Sequence, residues 1–299
     1  MSTVAIIGSG AIGCAVGSAL VETGKHRVVF CANTPFESLH VSFPDGSAIV
    51  SPAEVSTTPS SPAPVDWVLL CVKAQQVPAT ESWLRALAGP NTRVAVLQNG
   101  VEHFDSVTPI IGNPERILPV VVQIPAERTA PGTVIVTGTP HLVVPEGNLG
   151  SGLQTLFEGS RLPVKMTADF LKSLWEKMCL NAANGSLTAL TERDQSVIRE
   201  PEVAELCRQI VRECMKVGRA EGAVLDDGLP ERIVVQLAGT PGTPGGGNSM
   251  YYDRLAGREL EADARNGVIP RLGKKHGIPT PINATLYALL KNLKPRTTS

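Results

Sequence analysis

In "LWEKMCLNAANGSLTAL", residues 174–190, Lys177, Asn181 and Asn184 stand four and three residues apart. At about 100° per residue, that spacing puts all three on one side of a helix. The segment is otherwise rich in Leu, Trp, Met and Ala, the composition of a buried face. An ammonium and two carboxamides on one stripe are either a solvated face or a site. A second pattern points to a definite chemistry. "VAIIGSGAIGCAVGSAL" holds Gly8-Ser9-Gly10-Ala11-Ile12-Gly13, a GxGxxG that follows an apolar strand and opens a helix. In that context Gly8 permits a tight turn, Gly10 leaves room for a pyrophosphate, and Gly13 lets the helix pack closely on the strand. The helix start supplies N–H donors and partial positive charge. Such a loop holds a dinucleotide.

The second strand bears on which dinucleotide. NAD sites usually carry Asp or Glu there, bonded to the ribose 2′-OH. Here the strand ends "FCANTPFE", with Asn33 and Thr34 at the tip and Glu37 past the turn. An uncharged tip does not repel a 2′-phosphate, which leans toward NADP, although no arginine at the tip grips that phosphate.

These residues need a scaffold, and the hydrophobic pattern supplies one. Strands are expected at residues 3–7, 27–32, 66–72 and 93–99, followed by "ILPVVVQI", "GTVIVTG" and "HLVVPE". The apolar run "DWVLLCV" is that of a strand covered on both faces. Strands alternating with helical segments imply a parallel sheet with helices on both sides, and the closely spaced later strands imply an antiparallel extension. From residue 167 onward the expected segments are helical: 169–190, 200–221, 228–238, 249–264, 266–276 and 281–293. The expected division is therefore 1–166, a dinucleotide-binding domain, and 167–299, an all-helical substrate and catalytic domain. The Gly- and Pro-rich stretch 239–248 is a loop, either a flexible connector or a mobile flap. The tail "KPRTTS" is expected to fray.

Composition excludes several classes. The chain has 299 residues, 42% hydrophobic, with a net charge of −1 and 4% aromatics, so neither nucleic acid nor an anionic membrane is an expected partner. The uncharged run 2–21 is as long as a membrane span, yet its glycines and missing basic flank fit strand, turn and helix better. The six cysteines form no CxxC pair, and the five histidines show no ligand spacing. No metal site is expected, and reduced thiols in a cytoplasmic setting are.

In this order and spacing, "IIGSGAIG", "VLLCVKAQQV", "LQNGV", "LWEKMCLNAANGSLTAL" and "NSMYYDRLAGRELEADARNG" resemble the ketopantoate reductase (2-dehydropantoate 2-reductase) family over nearly the whole chain. The resemblance implies a Rossmann-type doubly wound α/β sheet, then an all-α C-terminal domain of the 6-phosphogluconate dehydrogenase-like type. It places Lys73 near the cofactor phosphate and ribose, and Asn99 between nicotinamide and substrate. Lys177 matches the catalytic lysine, a desolvated ammonium able to stabilise an alkoxide-like oxygen and give it a proton. Asn181, Ser249 and Glu261 match substrate-contacting positions, and Glu261 is also expected as the catalytic partner that holds the Lys177 charge. One departure stands out: the family's second asparagine falls at Gly185, and this chain has Asn184 one place early, which helix geometry still allows onto the face, so Asn184 is expected as a substrate ligand too. Each residue also has a plain structural role to weigh: Asn99 as a turn-former, Ser249 as a helix N-cap, Glu261 as the ion-pair partner of Arg265.

The function this implies is reduction of 2-dehydropantoate to pantoate with NADPH, toward pantothenate and coenzyme A, with domain closure excluding water. Alternatives stay open. The chain could reduce another small 2-oxo acid, or sense NADP without turnover. It could also join a helical interaction module to a Rossmann half. Subunit number is not legible, and a homodimer is left open.

Overall fold

The computed structural model describes residues 1–59, 63–243 and 245–293. The expected fraying tail lies outside them. The chain divides into two compact units, Met1–Phe170 and Leu171–Ser299.

The first unit holds β1 (Thr3–Ile7), α1 (Ala11–Thr23), β2 (Arg27–Cys31), β3 (Ser38–Ser42), β4 (Ala48–Pro52), β5 (Glu54–Ser56), β6 (Trp67–Leu70), α2 (Glu81–Leu87), β7 (Arg93–Val96), α3 (His103–Ile111), β8 (Ile117–Pro119), β9 (Val121–Gln123), β10 (Ala126–Ala130), β11 (Thr133–Val136), β12 (His141–Pro145), α4 (Asn148–Leu156) and β13 (Val164–Thr167). Its main sheet runs β5-β2-β1-β6-β7-β8, all parallel. Alternate side chains leave opposite faces. Val4, Ile6, Val28, Phe30 and Leu69 pack with Val16 and Leu20 of α1, while Ala5, Ile7, Val68 and Leu70 pack with Leu84 of α2 and Val107 of α3. Both faces are covered, so these short strands can be apolar throughout. The strand order reverses between β2 and β6, on either side of β1. Ligands of such sheets bind at the carboxyl ends beside that switch point.

The later strands are not a plain antiparallel extension. A four-stranded sheet, β10-β11-β3-β4, packs on α1 and is mixed, since β11 pairs parallel with β3. A three-stranded sheet, β13-β12-β9, is mixed too. Because β13 pairs with β12, the first unit runs on to Phe170. "ILPVVVQI" is two strands serving two sheets, with Val120 between them.

The second unit holds α5 (Phe170–Thr191), α6 (Pro201–Ala220), α7 (Leu229–Ala238), α8 (Ser249–Leu255), a π turn (Asp263–Gly267), α9 (Val268–Lys275) and α10 (Pro281–Lys291). Among the described residues it has no strand, and among the described residues of the chain no helix is long and apolar enough to cross a membrane. Trp175 of α5 lies against Gly218 of α6, where an added Cβ would come within 2.8 Å of the indole. The expected helix 249–264 is not continuous. Gly257 adopts a left-handed φ of 64°, and the Arg258 N–H bonds back to the Asp253 carbonyl at 2.8 Å. That pattern terminates helices, so residues 258–261 cross outside helix before the chain re-enters at Ala262.

Candidate active site

The first unit builds a cradle at the carboxyl edge of its sheet. Gly8 has φ 99°, and its N–H bonds the Cys31 carbonyl at 3.0 Å. A Cβ on Gly8 would sit 2.7 Å from the Val72 side chain, and one on Gly13 would sit 1.9 Å from the Gly8 carbonyl oxygen. Gly10 differs, with nothing within 4 Å of a Cβ added there. The two close approaches shape the turn, and Gly10 leaves its side of it open. The first-turn N–H groups of α1 have no intrahelical acceptors by geometry. Together they fit a dinucleotide pyrophosphate on Gly8, Ser9, Gly10, Ala11, Ile12 and Gly13.

Neighbouring loops at the same edge are tied to this turn. The Gln98 carboxamide donates to the Val72 carbonyl at 2.8 Å, and the Gln98 carbonyl meets the His103 ring at 3.1 Å. That joins the loop after β7 to the loop after β6 and brings half-buried Lys73 and Asn99 to one edge. Lys73 precedes a short 3₁₀ segment, its N–H bonded to the Gln76 side chain at 3.2 Å. Asn33 and Thr34 form an exposed bend directly after β2. All six cysteines are buried thiols, and burial pushes Cys14 up to about 11 and Cys31 up to about 12.

The second unit holds the polar stripe. Lys177 and Asn181 are half-buried on successive turns of α5, while Asn184 is buried. Burial pulls the Lys177 ammonium down from its ordinary 10.5 to about 7; the Arg265 charge adds to the fall and the Glu261 carboxylate opposes it. Glu261 and Arg265 are themselves buried, and their side chains meet at 3.1 Å. The same Arg265 Nη2 donates to the Ser249 hydroxyl at 2.6 Å. Lys177, Glu261, Arg265 and Ser249 therefore form one electrostatic group.

Asn184 turns another way. Its side-chain oxygen accepts from the Asn248 carboxamide at 2.9 Å, and that carboxamide also donates to the Thr188 hydroxyl at 2.7 Å. The Asn248 oxygen in turn accepts from the N–H groups of Met250 and Tyr251, at 3.0 and 3.2 Å. The N-cap of α8 is thus Asn248, not Ser249, which frees the serine hydroxyl for Arg265. Asn184 clamps the end of loop 239–248 onto α5.

The ketopantoate reductase PanE/ApbA family matches residues 4–148, and its C-terminal part matches residues 169–294. The chain belongs to the ketopantoate reductase family. A 2-dehydropantoate 2-reductase of Caulobacter vibrioides is 44% identical over 97% of this chain and 98% of its own. One from Mycobacterium tuberculosis is 38% identical over 96% of both. Among solved structures, a PanE/ApbA family ketopantoate reductase from Ralstonia eutropha JMP134 matches with a TM-score of 0.86 at 30% identity, covering 97% of each chain. In this ketopantoate reductase fold, two members of the polar group escaped the sequence reading as site residues. Asn248 lay hidden beside an equally good capping serine. Arg265 was legible only as a partner for Glu261, four residues before it.

Proposed function

We propose that this chain reduces 2-dehydropantoate to pantoate with NADPH, Lys177 acting as general acid. The relatives named above carry that activity, and the half-buried lysine with a pKa of about 7 supports its transfer to this chain. Gly8–Gly13, with Lys73 and Asn99 at the same edge, would hold a reduced nicotinamide dinucleotide, whose chemistry would be hydride donation to the carbonyl carbon. Lys177 gives the proton from Nζ to the ketone oxygen as negative charge develops there. One hydride and one proton convert the ketone to the hydroxyl, leaving a neutral amine and the oxidised dinucleotide. Glu261 opposes the fall in the lysine's proton affinity and, with Ser249 and Asn181, presents polar groups to the substrate hydroxyl and carboxylate. The uncharged bend at Asn33 and Thr34 supports NADPH over NADH.

The test is oxidation of NADPH and of NADH with 2-dehydropantoate and a panel of other 2-oxo acids, using wild type and Lys177→Met. Turnover of 2-dehydropantoate in preference to the panel, faster with NADPH and lost in the variant while NADPH still binds, is the expected result. Preference for another acid would overturn the substrate, and equal rates in both proteins would overturn the role of Lys177.

A further inference from the structure

The most unusual group in the second unit is Arg265, a guanidinium only 2% exposed. Burying a cation is costly unless its donors are matched, and replacing a buried ion pair by apolar side chains is often neutral or stabilising. Arg265 has one carboxylate partner, Glu261, and one hydroxyl partner, Ser249, both on Nη2. Its Nε has no hydrogen-bond partner. An arginine kept for stability alone would be poorly placed here. Its two partners are the pair that the family resemblance assigns to substrate.

Room for this side chain comes from the catalytic helix itself. A Cβ on Gly185 would lie 3.4 Å from Arg265 Nη1, 3.6 Å from its Cδ and 2.8 Å from the Met250 sulfur. Gly185 is the position at which the asparagine stripe departs from the family pattern. The backbone carrying Arg265 is special as well, because it lies in the π turn Asp263–Gly267. Such single wide turns re-aim side chains and recur at functional sites. Asp263 and Gly267 of that turn are occupied elsewhere: Asp263 bonds Arg271 and Tyr287, and a Cβ on Gly267 would meet the Tyr287 ring.

We propose that Arg265 is a positioning residue for the reduction: its guanidinium stands in the space left by Gly185 and holds the Ser249 hydroxyl and the Glu261 carboxylate in one fixed arrangement. It works at a distance on Lys177 too. Arg265 and Glu261 both act on the charge of that lysine, in opposite directions. The inference rests on Lys177 being the general acid. Its test is therefore arranged so that the two ideas fail separately.

The measurement is kcat and KM against pH for wild type, Arg265→Met, Arg265→Lys and the double variant Arg265→Met with Gly185→Asn. NADPH affinity and melting temperature are read on each. Arg265→Met should lose at least about tenfold in kcat, and its alkaline limb should move to higher pH, because Lys177 loses a like charge. Arg265→Lys keeps the charge and loses the fork that spans Ser249 and Glu261, so its limb should stay near wild type while kcat falls. Adding Gly185→Asn to Arg265→Met should restore part of kcat, since a carboxamide can then fill the vacated space. NADPH affinity should be unchanged throughout. A wild-type limb and kcat in Arg265→Met would overturn the proposal, as would losses that simply follow melting temperature across the set. Should Arg265→Met not fold, an unchanged kcat in Arg265→Lys overturns it equally. Identical profiles for wild type and Lys177→Met would instead sink the general-acid reading beneath it.

Discussion

Lys177→Met removes the ammonium and keeps an unbranched side chain of similar length. With the lysine at about 7, kcat for ketone reduction in wild type should be level below that pH. Above it, the protonated fraction of the acid, and with it kcat, should fall about tenfold per pH unit. A lysine at its ordinary 10.5 would leave kcat level far into the alkaline range. The variant should lose on the order of 10²- to 10⁴-fold in kcat, the usual contribution of a positioned acid. Its residual rate should lack the alkaline limb. Stability should move the other way. Between about 7 and 10.5 the unfolded chain holds a proton that the folded chain has released, so wild-type stability rises with pH across that window. The cost of the buried cation is fully present below about 7. A shift from 10.5 to about 7 sets an upper bound of about 5 kcal/mol on that cost, and water reaching the half-buried amine lowers it. Methionine carries no such cost, so the variant should melt above wild type in mild acid, with the gap closing as pH rises. The assays are steady-state turnover with hydride- and deuteride-bearing cofactor, and calorimetry over the same pH range. A level kcat across the neutral to alkaline range, with a full isotope effect showing that chemistry limits the rate, would refute the reasoning.

Other outcomes follow from the same geometry. Glu261→Gln should move the alkaline limb to lower pH, since the charge that opposes the fall in the Lys177 pKa is gone; a limb shifted upward would contradict this. In Gly13→Ala, the new methyl would stand 1.9 Å from the Gly8 carbonyl oxygen. The phosphate turn must open, and NADPH affinity measured by fluorescence titration should drop at least about tenfold. Glu213 is buried and accepts from the N–H groups of Ile282 and Asn283, at 3.0 and 2.9 Å, and from the Asn283 carboxamide at 2.8 Å. Glu213→Ala leaves those donors without their acceptor and should cost roughly 2–4 kcal/mol in chemical unfolding.

The phosphate turn was legible because its chemistry is local. Gly8, Gly10 and Gly13 act within one strand, turn and helix, and each has its own steric reason. The central strands were legible because a strand covered on both faces is apolar at every position, as in "WVLL". Strands β3 to β5 were not. "SLHVS" and "AIVSP" expose most alternate residues and are short, so they were not among the expected strands. The helix over 249–264 was overextended because the polar run after Gly257 mimics helix composition. The left-handed stop at that glycine depends on bonds formed only once the turn closes. Ser249 and Asn248 are equally good caps by type. Asn184 and Thr188, 64 and 60 residues earlier, decide between them. The π turn adds a backbone widening that no residue type announces. For the candidate site, the stripe on α5 could be seen from its spacing, and so could the Glu261–Arg265 pair, four residues apart; the joining of that pair to Ser249 and Lys177 is tertiary and had no local signature.

The buried chain of amides that ties down α5 bears on how this protein is made. The Ala182 carbonyl accepts from Asn266, Asn266 donates to Asn283, and Asn283 is held by Glu213. Lys177 leaves the ribosome before α6, the π turn and α10, yet the helix that carries it is locked to all three through this chain. A nascent polypeptide halted before Asn283 has every residue of the polar group and lacks the last link that fixes their register. The first unit, by contrast, closes its main sheet with β8, well before α5 is synthesised. Dinucleotide binding should therefore appear early on stalled ribosomes, and turnover only once α10 has emerged.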